Sequence, residues 1–345
     1  MRIVSKNRID NLLNEYKGVL FEYLFAKLLA KHYGREENFL LTMNAKLLEL
    51  LERYERALRE ENIELLKALP LLANFAFNHF IASGIIPPLD IASIHLVGRK
   101  LGRDSLPNIE SRYLALEADL LLTKSNGEII PISTKLCKKA SFVNTKNGGV
   151  KSFVSKYLGD ESQQSKLSER LDYSYYKMVA ELYDQAEIPG DPPLDGSFDE
   201  RWSAKGLSDL PGELPQELQR LIHQYYAEVI FCLYEMVVKV HALDAEKFTK
   251  MLYPLCGLSA DDLIQVITYH DGEHLPSSVR VLSKEHLQRS LRKVEILPYR
   301  SGTASFEIRS CDFSLQLRVK PMNRFTTKTP KINCSVRLHD PIPLL

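Results

Sequence analysis

The 345-residue chain carries almost no charge imbalance, with 45 lysines and arginines against 44 aspartates and glutamates. A global basic signature is therefore absent, and any nucleic-acid binding must come from a local patch. Cysteine is scarce and unpatterned: Cys137, Cys232, Cys256, Cys311 and Cys334 form no CxxC pair. That spacing argues against a disulfide framework and a zinc site, and a reducing cytoplasm fits best. No stretch approaches about 18 apolar residues without a charge, so no transmembrane helix and no membrane partner are expected. Met1-Arg2-Ile3-Val4-Ser5-Lys6 lacks the apolar region of a signal peptide. Internal repeats and low-complexity tracts are missing as well.

Patterned segments fill the remainder. Ile9, Leu12, Leu13, Tyr16, Leu20, Tyr23 and Leu24 recur at helical spacing and predict a helix over residues 8–32, with Gly34 as its stop. Helices are also expected over 44–68 and about 70–83, as a helical insertion or lid spanning roughly 35–88. Residues 91–97 read as a strand. Two more strands, 113–123 and 128–137, flank Ser125-Asn126-Gly127, and Asn-Gly between apolar runs is a strong hairpin signal. Helices return over 150–186. Five prolines and four glycines make 187–215 a long surface loop. Residues 216–253 read as helical, 261–270 fit strand or helix, and 294–338 are mostly strands. The expected organisation is a core over 1–186, the loop at 187–215, and a helical plus antiparallel region over 216–345 that completes or packs on the core. The fold class is mixed α/β, or α+β.

The hairpin concentrates the chemistry. Glu117 and Asp119 are two apart on the first strand and share a face, with Ala118, Leu120 and Leu122 opposite. Ser133 and Lys135 share a face on the second strand, with Ile130, Ile132, Thr134 and Leu136 opposite. Carboxylates, a hydroxyl and an ammonium would thus stand together over an apolar underside. Mg²⁺ takes oxygen ligands, can activate a water and polarises a phosphate, while a neighbouring lysine can orient that water or offset developing charge. Glu22 is flanked by apolar residues at every helical offset from 19 to 26, and a buried carboxylate needs a partner. That partner could be a metal, a lysine or a structural arginine.

Asp119, a hairpin, and then Ser133-Thr134-Lys135 resembles the PD-(D/E)xK nuclease signature. The resemblance covers about a third of the chain and is closest to type II restriction endonucleases. It implies a restriction-endonuclease-like core with a central mixed sheet, and Mg²⁺-dependent hydrolysis of duplex DNA to leave 5′-phosphate ends. Asp119 is implied as a metal ligand, Lys135 as the catalytic lysine and the Thr134 carbonyl as a metal contact. Glu22 matches the glutamate that the family often takes from the first core helix. Ser133 departs from the pattern, because the family places a carboxylate there. Glu117 or Glu22 would have to supply the missing ligand, or the protein is an inactive relative that binds DNA. A homodimer on a palindromic site and a cognate DNA methyltransferase follow from the restriction-enzyme resemblance; a repair or defence nuclease without sequence preference is the alternative.

Between Glu128 and Asp160 no acidic residue occurs, while Lys135, Lys138, Lys139, Lys146, Lys151 and Lys156 do. With Asn144 and Gly148-Gly149 among them, this run reads as a flexible phosphate-binding loop. Three other features weigh less. Tyr173, Tyr175 and Tyr176 are expected to pack helices rather than stack on bases. His270-Asp271-Gly272-Glu273-His274 has zinc-like spacing, but its Asp-Gly pair favours a turn. Lys320 to Arg324 reads as a phosphate contact or an ordinary turn.

Overall fold

The computed structural model describes residues 6–85, 91–97, 118–139, 141–158, 161–193, 197–258, 263–291, 293–320 and 328–339. The chain begins with α1 (Lys6–His32), α2 (Glu36–Leu41), α3 (Ala45–Glu61) and α4 (Ile63–Ala82). Strands β1 (Ile91–Leu96), β2 (Leu120–Lys124), β3 (Ile129–Lys138) and β4 (Val143–Gly149) follow. Helices α5 (Val150–Tyr157), α6 (Glu161–Gln185), α7 (Glu200–Ala204), α8 (Gln216–Leu243) and α9 (Ala245–Leu255) come next. The chain closes with β5 (Ile264–His270), β6 (Pro276–Leu282), α10 (Lys284–Ser290), β7 (Glu295–Ile296), β8 (Ser305–Arg309), β9 (Phe313–Lys320) and β10 (Lys331–Leu338). The class is mixed α/β, as expected.

These elements form two compact units, Met1–Ser141 with Leu258–Arg289 and Phe142–Gly257 with Ser290–Leu345. The expected boundaries near 186 and 215 do not coincide with this division. The cause is the parallel pairing of β3 with β5, in register from Ile132↔Ile264 to Lys138↔His270. Parallel neighbours need a long crossover, and most of the second unit is inserted into that crossover.

In the first unit the sheet order is β1-β2-β3-β5-β6, antiparallel except at β3–β5. Gly127 takes φ +86 in the β2–β3 turn, the left-handed conformation that an Asn-Gly hairpin requires. Central position buries β3 from Ile130 to Thr134, so its sequence reads as an apolar run rather than an alternating one. Pro131 sits one residue before the β5 ladder starts, so its missing N–H leaves no gap there. Phe21, Phe25 and Leu29 of α1 join Leu51 and Leu58 of α3 and Leu69, Leu72 and Phe80 of α4 in one core with Leu120, Leu122, Ile132 and Val266 of the sheet.

Within the 35–88 segment, α3 and α4 pack with α1 into one core against the sheet, and residues 86–88 lie outside the described residues. The break within the segment falls at Asn62, whose side chain accepts the N–H of Leu65, so α4 starts at Ile63 rather than near residue 70 as expected. By length and composition α4 could cross a membrane, contrary to expectation. Its Leu65, Leu69, Leu72, Ala73, Ala76 and Phe80 face this core.

The second unit holds an antiparallel sheet ordered β4-β10-β9-β8-β7 and the long helices α6 and α8, which pack on each other. The region 187–215 is not a plain surface loop. Trp202 of α7 is fully buried, stacked on Tyr183 and edge-on to Phe198. Arg201 donates to Asp199 and to the carbonyls of Pro189 and Asp191, fastening the segment to itself. Apolar anchors and one arginine outweigh the proline and glycine content. Of the three tyrosines, Tyr175 is fully buried, but Tyr173 is 69% exposed and packs little.

Candidate active site

The hairpin brings Asp119, Ser133, Thr134 and Lys135 together. Asp119 lies in a bend just before β2, where its N–H donates to the Ile132 carbonyl and its carbonyl accepts from Val97. The bend breaks the expected alternation. Ala118 joins Leu121 and Val97 in a small separate cluster, instead of sharing a face with Leu120 and Leu122. Freed from the strand's pleat, the Asp119 carboxylate turns toward β3. Its Oδ2 accepts from Ser133 Oγ at 3.0 Å, the Thr134 N–H at 2.7 Å and Lys135 Nζ at 3.3 Å.

Lys135 Nζ in turn donates to Ser133 Oγ at 2.9 Å and to the Thr134 carbonyl at 3.1 Å. Three oxygens of different kinds, a carboxylate, a hydroxyl and a backbone carbonyl, thus converge on one ammonium. Nearly all of Ser133 and Thr134 is buried, while the lysine and aspartate side chains keep 31% and 14% of their surface exposed. The group is dry behind and open in front.

Glu22 closes the recess from α1. Part of its surface reaches solvent, but protein crowds it on nearly every side. Burial holds its carboxyl well above the usual range; Asp119 pushes the same way, and Lys135 opposes both. Two carboxylates in one recess repel each other, and a bound cation would relieve them. Among the described residues no three or more His, Cys, Asp or Glu side chains gather as a metal group. The donor set that does gather contains two carboxylates plus neutral oxygens, the chemistry suited to a hard divalent ion with water completing its shell. Glu117 lies outside the described residues.

The expected phosphate-binding loop is not a loop. Residues 143–149 form β4, paired with β10, and 150–157 form α5, all in the second unit. Lys146 is buried, and Asn144 accepts from Ser335 at 2.6 Å. Lys151 donates to both carboxylate oxygens of Asp172, at 2.8 and 2.9 Å, so the missing acid arrives from α6. Lys156 lies over the Tyr157 ring at 5.3 Å. Lys138 and Lys139, exposed at the end of β3, stay in the first unit with Lys135. The 270–274 segment is a turn, as expected, with the Asp271 carboxylate accepting the N–H groups of Glu273 and Leu275. Lys320 ends β9, and residues 321–324 lie outside the described residues.

Sequence reasoning passed over two groups beside the site. Gln265 of β5 is in register with Ser133, almost fully buried, and its side-chain oxygen has no partner. Lys17 lies five residues before Glu22 on α1, and burial lowers its pKa. Lys17 was detectable as a lysine on the helix that carries Glu22. Gln265 was not, because its place beside Ser133 depends on a parallel register set from far down the chain. No protein-family model matches the chain, and its sequence matches no curated protein.

Proposed function

We propose that this protein is a Mg²⁺-dependent endonuclease that hydrolyses phosphodiester bonds in duplex DNA, in the manner of a type II restriction enzyme. The observation that carries the reading is the convergence of the Asp119 carboxylate, the Ser133 hydroxyl and the Thr134 carbonyl on the Lys135 ammonium. An acid, a backbone carbonyl and an amine on neighbouring strands make the minimal apparatus for holding a divalent ion beside a phosphate.

Asp119, Glu22 and the Thr134 carbonyl would hold the metal, with Ser133 a weaker oxygen beside them. When bound, Mg²⁺ polarises the phosphate and lowers the pKa of a water. The chain's own groups do the rest. Ser133 and the Thr134 N–H fix the orientation of Asp119. Lys135, the most exposed of the group, orients the attacking water and offsets charge that builds on the phosphate oxygens. Burial and Asp119 raise the pKa of Glu22, and a cation held beside it would lower that pKa and favour the carboxylate.

The restriction-enzyme form of this reading entails a homodimer on a two-fold DNA site, a partner methyltransferase and action in the cytoplasm. Plasmid DNA with Mg²⁺ tests it. Discrete bands that vanish in Asp119→Ala and Lys135→Ala are expected; a smear would indicate a nuclease without sequence preference. Ser133 in a carboxylate's place favours a second reading, a DNA-binding protein whose site has decayed. Binding of duplex DNA without cutting, whichever divalent metal is supplied, would establish that instead.

A further inference from the structure

In the first unit four basic side chains come from three chain segments: Lys17 from α1, Lys138 from the end of β3, and His270 and His274 from the end of β5 and its turn. Lys138 ends β3 in register with His270, and the Lys139 N–H donates to the His270 carbonyl at 2.7 Å. The His270 and His274 rings lie 5.2 Å apart. Lys17 comes from α1 and acts electrostatically on both histidines, as Lys138 does. Lys17 and Lys138 bring two positive charges to a pair of imidazoles, and an anion between them would offset that charge. Asp271 acts on His274 in the opposite sense, and its Oδ1 accepts two backbone N–H groups.

Two orphaned atoms mark the spot. His270 is completely buried, and its Nε2 has no hydrogen-bond partner; His274 Nδ1 is buried without one too. Thr268, two residues earlier on β5, leaves its hydroxyl oxygen in the same condition. Unsatisfied buried polar atoms are costly, and several in one place point to an absent occupant.

We propose that Lys17, Lys138, His270 and His274 form a phosphate-binding subsite that takes a backbone phosphate of a nucleic-acid strand. The source of that phosphate rests on the nuclease reading; the anion chemistry does not. His270 Nδ1 faces the Asp271 carbonyl at 2.8 Å and so carries a proton. In the neutral ring Nε2 can only accept. It becomes a donor to a phosphate oxygen on protonation, so anion binding takes up a proton. Burial, Lys17 and Lys138 lower the pKa of both histidines, and an anion beside them would raise it. Two neutral imidazoles could instead chelate a transition metal, and that alternative has the opposite pH dependence.

The full chain is titrated with sulfate, which stays doubly charged, while the histidine ring protons are followed by NMR. Affinity is expected to tighten roughly tenfold between about pH 8 and about pH 6, and to fall about fivefold or more in Lys17→Met and in His274→Gln. His274 is partly exposed, so its variant tests the subsite even if a change at Lys17 disturbs folding. No sulfate-dependent shift at any pH would overturn the proposal. So would binding of Zn²⁺ alone that tightens as pH rises. Oligonucleotides with and without a 5′-phosphate should displace sulfate equally; displacement by the phosphorylated strand alone would overturn the assignment to a phosphate within the strand. Sulfate binding without any DNA cutting would refute the nuclease reading and spare the subsite. Cutting without sulfate binding would do the reverse.

Discussion

The two five-stranded sheets of this protein both bury polar side chains, and they treat them differently. In the second unit Thr145 lies against the carbonyls of Leu255 and Cys334, Ser335 donates to Asn144, and Ser314 meets His339. Tyr225 and Asn333 there keep an unpartnered buried oxygen. In the first unit Thr134 on β3 and Gln265, Thr268 and His270 on β5 place such atoms along two adjoining strands, with His95 on β1 and His274 in the turn after β5 as further cases. A buried hydroxyl that is satisfied holds a fold together. A row of unsatisfied ones beside an aspartate and a lysine has an unmet demand for ligand. The contrast directs attention to β3 and β5 and away from the lysines of β4 and α5.

The largest expected effect sharpens that contrast at Asp119 and Lys135. Either alanine substitution should lower Mg²⁺-dependent cleavage by about 10²–10⁴-fold with the circular dichroism spectrum unchanged. A variant that cuts at the parent rate would erase the distinction between the sheets. Next, Trp202→Ala should cost about 3–5 kcal/mol in denaturant unfolding, since its ring is wholly buried. A loss below about 0.5 kcal/mol would return residues 187–215 to the class of surface loops.

Glu22 gives a smaller effect with a definite sign. Its folded pKa is raised, so the proton it holds supports the fold at low pH, and that support is lost as pH rises through the raised value. Glu22→Gln should therefore gain stability over the parent as pH rises, measured by thermal unfolding without metal. Mg²⁺ at about tenfold its dissociation constant should stabilise the parent by about 1.4 kcal/mol and the variant by less. Equal stabilisation would remove Glu22 from the metal's reach. The smallest effect lies on the surface. Lys138→Ala should reduce the salt dependence of DNA binding by about one unit of slope. Lys151→Ala should change it less, because Lys151 is paired with Asp172, and breaking that pair should cost at most about 1 kcal/mol.

Local signals carried most of what could be read from the sequence. The hairpin was legible because Asn126-Gly127 demands a left-handed residue and the flanking runs are apolar. Asp119, Ser133 and Lys135 were legible as neighbours because a tight turn leaves little freedom of register. The bend at Asp119 was not, since a strand pattern continues through it. Nor could β5 be told from a helix: it is buried along its whole length, so it has no polar face to reveal a period. The lysine run misled for a related reason. Lack of acids nearby in sequence says nothing about acids nearby in space, and Asp172 reaches Lys151 across helices.

The parallel seam between β3 and β5 has one more consequence, for synthesis. A ribosome releases the strand bearing Ser133 and Lys135 long before Ile264 to His270 exist to cover its flank. Until then the β5-facing edge of β3 leaves its backbone N–H and C=O groups unpaired beside Ile132 and Leu136, the kind of edge that recruits stray strands. The segment translated in the interval supplies most of a second unit with its own sheet and helices. Chains stopped early, or slowed between residues 142 and 257, should therefore be the ones that aggregate. Whatever this strand does once complete, it spends its first moments as a liability.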